Sequence, residues 1–413
     1  MPCALLIALL CAASPAPFAA DGVTDDTAAI QAVLDAAAAD APGEVFLPTG
    51  RYRIDGTLYV PANTTLRGTY QGPGRRPGTV LLATGGRGQT EGPGCVVLRD
   101  GIACLRGVAI EYPEQSAETE EPEPYPYAVT GGHSSRIEEV YLHNAYQGIN
   151  LDGAHANLVR NVWGEPLRVG IRVDHCYDIS RIENVHFWPY FTLDKPLRPW
   201  VQSHAVAFEF GRSDWQYCHN VFSYGYHTGA RFFATGAIDE KGYPAGTTNG
   251  QFTGFGADRC MVGVDVEDAF SIGVSFTNSL FAAFAEEDGR AILLREGNTG
   301  NLTFTNCNFW AITGEVAEVR AGSLNLSGCN VESWALIAKE RPCFEVSGGR
   351  LNVNGCTFNQ AGLLASVTGA DARVSITGNT APDELRVEHH PGAALVTGLN
   401  NPALASAPLA ETP

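Results

Sequence analysis

The sequence predicts an all-β solenoid with a helix near its N-terminal end, and three observations carry that expectation. A short unit recurs along the chain: Asn or Gly, a small or apolar residue, any residue, then an apolar one. The units return at intervals in the twenties, which is the length of one coil of a solenoid. Gly is abundant, at 46 residues, and Gly, Asn, Thr and Val recur in short runs that suit many strands joined by tight turns. Of the 413 residues, 45% are hydrophobic, enough for a packed core.

Residues 2–20 (PCALLIALLCAASPAPFAA) form a short apolar run followed by small residues, without the basic start of a typical leader. The run is too short to span a bilayer and predicts a signal peptide at 1–20, hence a secreted or periplasmic protein without a membrane anchor. DGVTDDTAAIQAVLDAAAAD follows. Thr24 or Asp25 can cap a helix with acidic residues in its first turn, and Ile30, Val33, Leu34 and Ala37 fall on one helical face. GEVFLPTGRYRI reads as strand, turn, strand, and TLYVPANTTLRG repeats the idea.

DGVTDDTAAIQ, VFLPTGRYRI and LYVPANTTLRG together resemble the opening of the pectate-lyase superfamily, in particular its rhamnogalacturonase/epimerase-like group. The resemblance spans roughly residues 17–68. It implies a single-stranded right-handed parallel β-helix whose first helix caps the open core, over residues 21–385. Asp21, Asp25 and Asp26 are then capping residues, not catalytic ones. It also implies activity on a polysaccharide. The NTD, DD, GHG and RIK set of polygalacturonase-like enzymes is missing, since Asp25-Asp26 falls in the cap and no GHG occurs. A calcium-binding carboxylate series of the pectate-lyase type is missing too.

The recurring unit reads Asn161-Val162, Asn184-Val185-His186-Phe187, Asn220-Val221-Phe222-Ser223, Asn278-Ser279-Leu280-Phe281, Asn306-Cys307-Asn308-Phe309, Gly328-Cys329-Asn330-Val331 and Gly355-Cys356-Thr357-Phe358. Val162 to Val185 is 23 residues, Cys307 to Cys329 is 22, and Cys329 to Cys356 is 27. Strand alternation puts the second and fourth residues inside. Cys307, Cys329 and Cys356 then stack as a buried column of small apolar groups. The chain has 11 Cys, nine of them after residue 20, and no CxxC, so neither a complete disulfide framework nor a zinc ribbon is expected. The Asn positions are expected to form a ladder of stacked amides.

Three excursions break the spacing. Residues 111–128 are acidic and Pro-rich and read as a solvated loop. Residues 189–204 and 234–250 are the other two, and such insertions map to surface loops where binding lives. Beyond Asn379 the pattern fades, so 386–413 reads as a C-terminal tail, with His389 and His390 in an exposed loop.

The candidate site lies between 186 and 260. Outward aromatics on neighbouring coils (Trp188, Tyr224 and, further on, Trp310) make platforms for sugar rings. In AVAFEF, the small Ala205 and Ala207 beside Glu209 read as the floor of a groove. Glu209, Asp214 and Asp258 are the candidate catalytic carboxylates for glycoside hydrolysis, which needs two. His186, Trp188, Tyr190, Lys195, Arg198, Trp200, His204, Arg212, Trp215, His219 and Tyr224 are the candidate substrate contacts. Elimination from a uronate polymer would instead draw on Lys195, Arg198, Arg212 and His204, with calcium as an optional ion. No other cofactor is expected. The formal charge of −18 disfavours nucleic acid as a partner and leaves room for a local basic groove. Three functions stand: an exported hydrolase or lyase, a glycan-binding tailspike-like protein that could trimerise, and a scaffold whose groove is filled by its own loops.

Overall fold

The computed structural model describes residues 18–39, 42–72, 78–235, 246–283 and 289–409. The signal-peptide expectation falls almost wholly on residues outside these. Residues 18–20, however, belong to the folded unit. Phe18 packs edge-on against Tyr52, with ring centroids 6.1 Å apart, and the N–H groups of Ala19 and Ala20 donate to the Asp26 carboxylate at 2.7 and 3.0 Å.

The chain is a parallel β-helix with an N-terminal helix. Its strands form one sheet of 21 and one of 14, called here sheet 1 and sheet 2. Each coil contributes to both, so strands distant in sequence pair in parallel with their predecessor and successor. Only two helices occur among the described residues, α1 (Thr27–Ala39) and α2 (Arg198–His204). Ile30 and Leu34 of α1 are fully buried, with Val33 and Ala37 beside them at the edge of the core. The helix starts later than expected. Asp25 accepts the Thr27 N–H at 3.0 Å, and the first turn holds no acidic residue.

The recurring unit owes its first position to backbone geometry. Sheet 1 bends once per coil, and at that bend one residue adopts a left-handed conformation. Gly107, Glu139, Asn161, Asn184, Asn220, Gly254, Asn278, Asn306, Gly328, Gly355, Gly378 and Leu399 all have φ between +52° and +69°. L-residues other than Gly and Asn pay for this conformation. The Asn members recover the cost through side-chain bonds: Asn161 donates to Glu139 at 2.6 Å, Asn184 to Asn161 at 2.7 Å, Asn220 to Asn184 at 3.1 Å and Asn306 to Asn278 at 2.6 Å. The amide ladder is thus present, in two runs.

Behind the bend the second and fourth residues of each unit point inward. Val162, Val185, Val221, Cys307, Cys329 and Cys356 are buried, and so are Phe187, Phe281, Phe309, Val331 and Phe358. Phe rings stack from coil to coil, with Phe276 and Phe304 centroids 4.9 Å apart and nearly parallel. All nine described cysteines are buried thiols, and burial pushes Cys95 up to about 12, far from a reactive thiolate.

Two expectations are corrected. The segment 386–413 is not a tail as far as it is described: Leu385–His389, Ala394–Gly398 and Ala405–Pro408 are strands that continue both sheets. The acidic excursion 111–128 is anchored rather than solvated. Tyr112 and Tyr125 are buried with centroids 4.6 Å apart, and the Asn144 side chain bonds both the N–H and the C=O of Tyr112.

The bend predicts a stability series at Asn184. Gly at this position should cost within about 1 kcal/mol and Val about 2 kcal/mol or more, because a β-branched residue pays the full left-handed penalty. Equilibrium denaturation checks the order, and equal losses would contradict it.

Candidate active site

Beyond the bend, alternate residues of sheet 1 point outward in two rows that run the length of the solenoid. One row reads Arg51, Val80, Ala109, Tyr141, Trp163, His186, Phe222. The other carries Leu82, Glu111, His143, Glu165, Trp188, Tyr224 and Asp258. Successive coils lie about 4.8 Å apart, so each residue touches the next.

The first coils hold a cleft of about 420 Å³, lined by Arg51, Tyr70, Glu111, Tyr141 and His143 among others. Tyr141 Oη lies 3.3 Å from His143 Nδ1. Arg51 Nη2 donates to Glu111 Oε1 at 3.2 Å, with the arginine half exposed to the cleft. Tyr70 stacks on Tyr141 at 5.7 Å between centroids, and Tyr190 meets Tyr141 edge-on at 5.9 Å. A phenol, an imidazole, a carboxylate and a guanidinium therefore converge on one opening. Sequence reasoning missed Arg51, Tyr70, Glu111, Tyr141 and His143.

The loop 189–204 is latched over this face. The carboxylate of Glu165, fully buried, accepts the N–H groups of Phe191 and Thr192 at 2.6 and 2.9 Å and the Thr192 hydroxyl. Arg198 Nη1 lies 3.5 Å from Glu165, and Arg198 Nη2 donates to the Tyr224 carbonyl at 3.4 Å. Burial lowers the Arg198 pKa and raises that of Glu165. Lys195 pairs with Glu118 at 2.6 Å. Arg198 is thus held as a fastening of the loop, while the Lys195 pair is exposed.

The other expected residues divide by place. His186, Trp188, Tyr190, Tyr224 and Asp258 do come together on the outward face. Trp188 and Tyr224 are 4.3 Å apart by centroids, and His186 meets Phe222 edge-on at 5.1 Å. His186 Nε2 is buried with no hydrogen-bond partner among the described residues, and burial lowers its pKa. Burial raises the pKa of Asp258. Trp200 and His204 sit on α2, stacked on each other at 4.6 Å. His219 faces out before the bend, between Glu183 and Thr253.

Glu209, Asp214 and Asp258 do not converge. Glu209 points out of sheet 2, with Arg172 at 3.6 Å and Arg231 at 3.5 Å, in a ladder that continues through Asp265 and Arg295. Asp214 lies in the turn after Val206–Phe210, beside exposed Trp215, and is clamped by the buried Arg212. Ala205 and Ala207 belong to the core rather than to a groove floor. Ala207 and Phe208, neighbours in the strand, are both in the core, which defeats simple alternation.

Among the described residues one group has metal-ligand spacing: Asp152, Asp174 and His175. It lies at the end of sheet 2 strands, away from the cleft. Its central Asp174 already accepts Arg172 at 2.9 Å and the Arg212 N–H at 2.9 Å.

Comparison with known proteins bears out the resemblance. Residues 18–90 match the family described as rhamnogalacturonase A/epimerase, pectate lyase-like. The match lies in the opening segment of the chain. Mannuronan C5-epimerase AlgE5 of Azotobacter vinelandii is 48% identical over 59 residues, 13% of this chain and 6% of the epimerase. The match therefore spans a small fraction of that relative's length. In three dimensions, the N-terminal fragment of bacteriophage Phi29 gene product 12 covers 92% of this chain and 70% of its own, at 14% identity and a TM-score of 0.58. That likeness establishes the fold. No helix among the described residues is long and apolar enough to cross a membrane.

The latch has a pH signature. A carboxylate whose folded pKa is raised above its ordinary value of 4.5 contributes stability that is fully present below that value and lost as pH rises through the folded one. Wild-type protein should therefore lose stability relative to Glu165→Gln as pH rises from about 4.5 towards neutrality. Denaturation of both proteins across that range checks it, and parallel curves would contradict it.

Proposed function

We propose that the protein modifies an acidic polysaccharide by moving the proton on the carbon next to a uronate carboxylate. The observation that carries this reading is the Tyr141–His143 pair beside Arg51 and Glu111 in one cleft. Its volume, about 420 Å³, is in the range of small-ligand sites.

The chemistry asks for three things. The carboxylate of the sugar must be neutralised so that the adjacent C–H becomes acidic, and the Arg51 guanidinium is the cation at hand. A base must take the proton, and a second group must give or receive one on the other side of the ring. Tyr141 and His143 supply a phenol and an imidazole in hydrogen-bond reach of each other, the arrangement general acid–base catalysis uses. If the proton returns to the opposite face of the carbon, the sugar is epimerised. If the glycosidic oxygen leaves from the next carbon, the chain is cleaved by elimination and an unsaturated uronate remains. Hydrolysis is less well served, because among the described residues the cleft lining holds a single carboxylate, Glu111, and that group is paired with Arg51.

Two further facts support the reading. Arg51 and Tyr70 lie within the segment that matches the rhamnogalacturonase A/epimerase family, and one relative there is named a mannuronan C5-epimerase. The outward Trp188 and Tyr224 continue the same face and would carry neighbouring sugars of the polymer. Such a protein works where polysaccharide is, outside the cytoplasm, in keeping with the apolar run at 2–20.

The test is incubation in deuterated water with a panel of uronate polymers, read by NMR for deuterium on the sugar and by ultraviolet absorbance for unsaturated uronate. At least one polymer should gain one signal or the other, and Tyr141→Phe should slow it about 10²- to 10⁴-fold. New reducing ends with neither signal, or full activity of Tyr141→Phe, would overturn the proposal.

A further inference from the structure

The two outward rows do not stop at Asp258. They pass through Gly256 and Ala282 and continue at Leu280, Asn308 and Trp310. Here the face opens into a second groove of about 770 Å³, lined among others by Leu280, Asn308, Trp310, Asn330, Glu332 and Leu336. Three large apolar side chains are held out of the core at this one place: Leu280 is 51% exposed, Leu336 46% and Trp310 38%. An indole flanked by two leucines and two amides suits a pyranose ring, whose C–H face packs on the indole while its hydroxyls meet the amides.

The charge of the lining names the class of sugar. Among the described residues its only ionisable group is the Glu332 carboxylate, which accepts the Ser333 hydroxyl, and no described Arg, Lys or His lines it. A uronate placed here would bring its carboxylate against a like charge with no cation to offset it. The cleft, by contrast, offers Arg51 and His143 beside its carboxylate Glu111. From His143 the row climbs six coils to Trp310, about 29 Å at about 4.8 Å per coil.

We propose that the groove at Trp310 is a second glycan-binding site, selective for neutral sugars, that holds an uncharged stretch or branch of the polymer whose uronates enter the cleft. The last clause rests on the proposed function; the binding and its selectivity do not.

Calorimetric titration of the full chain with neutral hexasaccharides (from glucan, mannan and galactan) and with a hexauronate tests this. Wild type, Trp310→Ala and Tyr141→Phe are compared, with circular dichroism to confirm folding; Trp310→Phe, which keeps a ring, is the second variant. At least one neutral hexasaccharide should bind, about tenfold or more weakly to Trp310→Ala, less affected by Trp310→Phe, and within twofold for Tyr141→Phe. Hexauronate affinity should be indifferent to Trp310→Ala. Absence of any Trp310-dependent neutral binding, or a tenfold loss of hexauronate affinity in Trp310→Ala, would overturn the inference. Should the deuterium assay fail while Trp310-dependent binding holds, the cleft reading falls alone; the reverse pattern removes only this site.

Discussion

One left-handed residue per coil is the constraint on which the rest of this structure depends. The backbone of sheet 1 must turn at the same height in each coil from Gly107 to Leu399, or the inward residues of successive coils would fall out of register. Gly meets the demand without a Cβ, and Asn meets it with a side chain that bonds to the coil below. Once the bend is fixed, everything behind it is determined: Val, Cys and Phe columns inside, and two outward rows on the face that carries the cleft. Glu139 and Leu399 pay more than Asn or Gly would. Glu139 is compensated by the Asn161 amide.

The outward face is held rigid from several sides. Tyr70, Tyr141 and Trp163 form a small buried cluster of their own, outside the main core. The latch at Glu165 holds the loop 189–204 down, so Tyr190 is presented to Tyr141 rather than left free. A buried carboxylate is costly to desolvate, and here three donors from one loop segment and an arginine offset that cost. Sheet 2 is stabilised differently. Its outer face is an alternation of arginine and carboxylate, worth little pair by pair where exposed, and more as a network around the buried Glu209 and Asp265. The molecule thus separates a charge-matched structural face from an aromatic, partly polar one.

Much of the architecture was legible in the sequence, because the bend leaves Asn or Gly every twenty-odd residues and the alternation behind it is strict. Val185, Phe187, Cys307 and Cys329 are inside for that reason, and His186 and Trp188 outside. The cleft was not legible for the same reason in reverse. Its strand carries Glu139 at the bend, so Glu139-Val140-Tyr141-Leu142 did not look like a unit, although Tyr141 and His143 alternate with Val140 and Leu142 in the usual way. Arg51 is distant in sequence and joins the cleft only because the coils stack. Glu209 misled because AVAFEF reads as one clean alternation, whereas Ala205, Ala207 and Phe208 are all in the core. Asp214 and Arg212 looked like chemistry and are a clamp in a turn.

The central claim is that substrate chemistry occurs between Arg51, Tyr141 and His143. The most direct measurement is a crystal structure of the Tyr141→Phe protein with a bound oligouronate. The account predicts a sugar carboxylate on the Arg51 guanidinium, with the adjacent C–H directed at the vacated phenol position and His143 on the same ring. An oligosaccharide seated instead against Glu209 on sheet 2, or in the turn at Asp214 and Trp215, would contradict it.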